Sequence, residues 1–198
     1  MNRSRGRPRK FDPDTALNKA MLVFWQRGLS ATSLDDLALA MGMNRPSIYN
    51  AFGNKEALYR LALAQFCGQL DLGIEQSLKV EPDLRKGLVK FYDQALDVYC
   101  GAKPALGCLM ICTAPADAIA HPEVRNDLKA LLARVDDQLA RRITDAIRNG
   151  DFPASGDPKL AAKLIQGVLH SLAIRARAGE SKSSLKKMTR YAVNCLPR

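Results

Sequence analysis

Apolar positions recur along this chain at helical spacing, punctuated by glycine, proline and capping residues, and no stretch alternates as a half-buried strand would. Asp12-Pro13 reads as an N-cap with proline in the first turn; Leu17, Ala20, Met21 and Phe24 form a stripe, and Gly28 closes this first helix. Ser33 caps a second helix, with Asp36 at the capping-box position and Leu34, Leu37, Ala38 and Met41 as its inner face; Gly42 stops it. Asn44 caps a short third helix from Arg45 to about Phe52, and Pro46 sits in its first turn, where a missing N–H costs little. Gly53 ends that helix. Asn54 opens a long fourth one that carries Leu58, Leu61, Ala62, Phe66, Leu70 and Ile74 and runs towards Leu78.

Beyond Pro82 the pattern stays helical. One helix spans about Leu84 to Cys100, while Gly107, Pro115 and Pro122 predict only short helical pieces and turns over residues 104–122. Val124, Leu128, Leu131, Val135, Leu139, Ile143 and Ile147 mark a long amphipathic helix. Asp157-Pro158 then caps a helix over about 158–178 that is apolar around much of its circumference, and a last helix, about 182–195, carries Leu185, Met188, Ala192 and Cys195. Such a wide apolar surface predicts burial on two sides, against its own domain and against a second subunit, with Gly167 and Ala173 allowing close approach and Val168 and Leu172 in the seam. The predicted fold is all-α with about nine helices: a basic arm over 1–10, a helix-turn-helix three-helix domain over 11–57, and a C-terminal helical domain over 58–198.

Composition narrows the class. The chain has 198 residues, 47% hydrophobic and 25% charged, which suits a folded globular protein. Its longest apolar runs, such as 108–112, fall far short of the roughly 20 residues of a membrane span. No apolar segment of the kind found in secretory signals follows the basic N-terminus. Five cysteines without framework spacing predict reduced thiols and a cytoplasmic location. The net charge of +10 is concentrated at the ends: residues 1–10 hold five bases and no acid, and residues 175–198 hold seven bases and one acid. A basic arm of that density is an electrostatic footprint for a polyanion. Arg5 and Arg7, within Arg5-Gly6-Arg7-Pro8, fit a narrow minor groove and resemble an AT-hook; a solvated tail adding nonspecific attraction is the plainer alternative.

Residues 33–52 carry the functional signal. Two short helices joined by Gly42-Met43-Asn44 have the turn length and the glycine of a helix-turn-helix, whose second helix enters the major groove. With Ile48 and Phe52 turned inward, Arg45, Ser47, Tyr49 and Asn50 face outward. Arg can pair bidentately with guanine and Asn with adenine, while hydroxyls meet phosphates or bases.

The run from Thr32 to Ala38, then Gly42 to Phe52, then Asn54-Lys55-Glu56-Ala57-Leu58 resembles the DNA-binding half of the TetR family of bacterial repressors. The resemblance, over about residues 11–60, implies a homodimer that binds a palindromic double-stranded DNA operator and is released by a small-molecule effector held in the C-terminal domain. By position, it implies phosphate contacts from Ser33, Tyr49 and Lys55, base-facing roles for Arg45, Ser47 and Asn50, and a place for Asn44 and Pro46 among the DNA-binding residues. Pro46 and Asn50 depart from commoner choices in the family, which bears on the operator sequence.

The C-terminal half is less explicit. Cys108 and Cys112 share a face if their segment is helical; they are either small core hydrophobes or a thiol or soft-metal sensor, the alternative to an ordinary effector pocket. His170 either lines a ligand pocket or sits hydrogen-bonded near the dimer seam. Two histidines with no nucleophile–acid pair beside them, and no phosphate-cradling glycine loop, argue against an enzyme and against a cofactor.

Overall fold

The computed structural model describes residues 12–197, and the chain divides into two compact units between Ala62 and Leu63. Arg5 and Arg7 lie outside the described residues, which contain no β-strand.

The first unit contains α1 (Pro13–Arg27), α2 (Leu34–Met41), α3 (Arg45–Phe52) and the start of α4 (Lys55–Ile74). Local chemistry starts each helix. The Asp12 carboxylate accepts from the Thr15 N–H at 3.0 Å, and the Asn54 side-chain oxygen accepts from the Ala57 N–H at 2.8 Å. At α2 the capping box is complete: Ser33 Oγ accepts from the Asp36 N–H (3.1 Å), and the Asp36 carboxylate accepts from the Ser33 N–H (3.0 Å). Phe24, Leu37, Ile48, Leu58 and Tyr59 are fully buried and form the core. Phe24 meets Tyr59 edge-on, with ring centroids 5.1 Å apart.

The second unit holds the rest of α4 with α5 (Leu84–Tyr99), α6 (Leu109–Asp117), α7 (Pro122–Arg148), α8 (Pro158–Arg177) and α9 (Lys182–Asn194). Here α7 packs along α8, α5 lies against α8 and α9, and α6 touches both α7 and α8. The Tyr92 hydroxyl donates to the Ile165 carbonyl at 2.9 Å and joins α5 to α8. Arg85 donates to the carbonyls of Val193 (2.6 Å) and Leu196 (2.9 Å), fastening the end of α9. No helix among the described residues is long and apolar enough to cross a membrane.

Three sequence expectations change. The α-helical part of α4 ends at Ile74, and a π-helical turn, Glu75–Lys79, replaces its expected continuation to Leu78. Arg142 of α7 donates to the carbonyls of Leu78 (2.9 Å), Glu81 (3.1 Å) and Pro82 (2.5 Å), taking up groups at the end of that turn. Residues 109–117 form one helix rather than fragments. It runs through Pro115, which cannot donate the usual i→i−4 bond to the Ile111 carbonyl. Finally, Leu172 and Ala173 are fully buried within the unit's own core and cannot form a seam with another subunit. The uncovered side of α8 carries Leu160, Leu164, Gly167 and Ile174 instead.

Candidate nucleic-acid interface

The α2–α3 connection is built by two residues. Gly42 adopts φ +66°, a left-handed conformation that lets the Met43 N–H reach back to the Ala38 carbonyl at 3.0 Å. Asn44 then accepts from the Ser47 N–H at 2.8 Å and starts α3, with Pro46 in its first turn. Ile48, with no exposed surface, anchors α3 from within, and Phe52 is half-buried at its end. Arg45, Pro46, Tyr49, Asn50 and Ala51 are exposed and Ser47 is half-buried, so one side of α3 is open to a partner.

Several of these side chains already have partners. Arg45 forms a two-point ion pair with Asp35 of α2: its Nε donates to Oδ1 at 2.8 Å and its Nη2 to Oδ2 at 2.5 Å. That pairing, led by the hydrogen bonds, holds the Asp35 carboxyl below the usual carboxylate range. The Ser33 hydroxyl donates to the Asp36 carboxylate at 2.6 Å, and its N–H is used in the same capping box. Hydrogen bonds from Ser33, followed by the Arg27 guanidinium at 2.7 Å, bring the Asp36 carboxyl down to about 2. Lys55 Nζ donates to the Thr32 carbonyl at 2.7 Å, tying the start of α4 to the α1–α2 turn. Two of its three N–H groups are left for another acceptor. Asp35 is the residue that the motif alone does not single out. Its only sequence signal is a carboxylate ten residues ahead of the arginine.

In the second unit, Cys108 is 2% exposed, and burial pushes its thiol up to about 12. Cys112 lies one helical turn on, half-buried, with Sγ 3.7 Å from the Ala173 carbonyl. Burial raises its thiol, and the neighbouring Arg177 only partly offsets the rise. No grouping of three or more His, Cys, Asp or Glu side chains suited to a metal ion occurs among the described residues. A cleft of about 490 Å³ opens between the π-helical turn and the C-terminal half of α7. Ile74, Leu78 and Pro82 give it apolar wall, and Gln138 and Arg141 face it with polar groups. The buried Gln138 Oε1 has no hydrogen-bond partner among the described residues.

His170, half-buried on α8, has its imidazolium disfavoured by burial, with the Asp136 charge of α7 only partly opposing that. Below its ordinary value of 6.5 the unfolded chain therefore takes up a proton more readily than the folded one. Stability is expected to fall as pH drops through and below that ordinary value. In His170→Gln that part of the slope should vanish, as read from melting temperatures across the range. Parallel profiles for the two proteins would contradict it.

Comparison with known proteins adds an independent line. Residues 16–62 match the family profile described as bacterial regulatory proteins, tetR family, and residues 85–192 match the tetracyclin repressor-like C-terminal domain. The HTH-type transcriptional repressor ComR of Escherichia coli K12 is 29% identical over 198 residues, covering 100% of this chain and 94% of ComR. The repressor BdcR of the same organism is 30% identical over 106 residues, 54% of each protein. Among solved structures, a cysteine-substituted form of the TetR family regulator CifR, in complex with 26-bp double-strand operator DNA, superposes with a TM-score of 0.87 at 32% identity. That match covers 97% of this chain and 100% of CifR.

Proposed function

The chain belongs to the TetR family of bacterial regulatory proteins, a family of regulators and not of enzymes; from that premise we propose that it is a cytoplasmic repressor that binds a palindromic operator as a homodimer and leaves it when a small molecule occupies the second unit. The observation that carries the operator-binding step is the open side of α3, with Arg45, Ser47, Tyr49 and Asn50 presented by a helix whose other side is locked by Ile48. The repressors ComR and BdcR and the operator-bound CifR support the same reading. Homodimerisation is supported by the apolar residues that α8 leaves uncovered, Leu160, Leu164 and Ile174. A small-molecule response is supported by the cleft beside the π-helical turn, whose roughly 490 Å³ lies in the range of small-ligand sites. The buried thiol of Cys108 favours a core role over sensing.

Footprinting on the DNA flanking the gene tests the operator-binding step: one protected palindrome is expected, and uniform protection along the duplex would refute it. Lys55→Ala gives a second check. Binding should weaken on every sequence, with the salt slope shallower by about 0.9 for each phosphate that is no longer neutralised. The substitution also removes the bond to the Thr32 carbonyl, so a stability loss of about 1.5 kcal/mol should accompany it. Unchanged affinity and slope would remove Lys55 from the interface.

A further inference from the structure

The two-point pair between Arg45 and Asp35 uses one edge of the guanidinium, the Nε–H and one of the two N–H bonds on Nη2. A guanidinium has five N–H donors, so three remain: the second on Nη2 and both on Nη1. Arg45 makes no other hydrogen bond or ion pair among the described residues. The remaining donors lie along the end of the side chain, and Nη1 and Nη2 offer there the parallel fork that fits the O6 and N7 acceptors of guanine. The carboxylate thus leaves the reading edge clear. Asp35 sits in the first turn of α2 and Arg45 at the first position of α3, so the pair spans the turn between two helices pinned by the buried Leu37 and Ile48.

We propose that Asp35 is a positioning residue for operator specificity: it orients Arg45 so that the free edge of the guanidinium reads one guanine in each half-site. The proposal rests on the operator-binding reading of α3. An unrestrained arginine would have to order several rotatable bonds on meeting a base, at a cost that the pair has already met. Asp35 also cancels the charge of Arg45, so together they contribute base preference and little nonspecific attraction. A lone lysine or arginine at the same edge would do the reverse.

The test is selection of binding sites from a pool of random-sequence duplexes by the full chain, followed by affinities and salt slopes on the selected duplex and on a single-base variant of it. Wild type is expected to enrich a palindrome with a guanine that Arg45→Lys no longer prefers, because an ammonium offers a point charge and no fork. Asp35→Ala and the isosteric Asp35→Asn should reduce preference for that same guanine by about two- to tenfold. Other positions should be untouched. In both variants binding to unrelated DNA should tighten and its salt slope steepen by about 0.9, since one negative charge has gone. Tighter binding to the palindrome with the guanine preference intact would overturn the proposal, because Asp35 would then be withholding Arg45 from DNA. Weakening spread over all positions together with a lower melting temperature would overturn it as well, leaving a structural role. A palindrome whose every position ignores Arg45→Lys sinks the proposal but leaves operator binding standing; enrichment of no sequence sinks both.

Discussion

Gly107→Ala is expected to destabilise the second unit by about 3–5 kcal/mol, a large part of the roughly 5–15 kcal/mol that typically holds a protein folded. Two separate costs combine. Gly107 has φ +68°, where an L-residue pays about 1–2 kcal/mol. Its Cβ would also stand 2.3 Å from the Ala173 carbonyl oxygen and 2.8 Å from Cys112 Sγ. A thiol can swing aside, but a main-chain carbonyl within α8 cannot, so the loop before α6 must lift from the helix. The Gly107 N–H bond to the Tyr99 carbonyl, 3.1 Å long, would go with it. Gly150→Ala supplies the control: its φ is +81°, but no atom lies within 4 Å of the added methyl, so only the backbone cost of about 1–2 kcal/mol should appear. Urea unfolding of the two variants separates the terms. Equal losses would mean that the loop can move off α8 at no cost.

The contrast between those glycines also marks where the sequence is legible. Gly107 lies in a segment broken by glycine and proline and Gly150 follows the stripe of α7, and the chain pattern marks a turn at each. Only the neighbour distinguishes them, and the neighbour of Gly107 is contributed by α8, far along the chain. Caps are readable because their partners lie two or three residues away: Asp12, Ser33, Asn44 and Asp157 all bond the N–H groups expected of them. The bond from Arg142 to the Leu78 carbonyl in the π-helical turn is not readable, since the two residues lie 64 apart along the chain. The Arg45–Asp35 pair falls between these cases. Both residues sit inside a recognisable motif, but their meeting requires the directions of two helix starts, which spacing does not encode. Cys108 and Cys112 do fall one turn apart, as their spacing suggests. How deeply Cys108 is buried is set by packing around the loop, which spacing does not encode.

Leu164→Glu should turn the protein into a folded monomer that no longer holds a palindrome. Leu164 is 72% exposed on α8 and makes no part of its own unit's core, so the carboxylate disturbs nothing inside the chain. Leu160 and Ile174, on the same uncovered side, and Tyr191 of α9 are also exposed. Fully burying one such side chain is worth about 1.5–3 kcal/mol, and a two-fold axis counts every residue twice. Replacing Leu164 therefore removes that gain from both subunits and sets two unpaired carboxylates in an apolar seam, each costing several kcal/mol more. Mass measurement at micromolar concentration is expected to give dimer for wild type and monomer for Leu164→Glu. Far-UV circular dichroism should match, and affinity for a full palindrome should fall to that of a half-site. Leu172→Glu is the counter-case: Leu172 has no exposed surface, so charge there should unfold the second unit rather than divide the dimer. A Leu164→Glu protein that stays dimeric would move the interface away from α8, and a wild type that is monomeric at the same concentration would refute the homodimer itself.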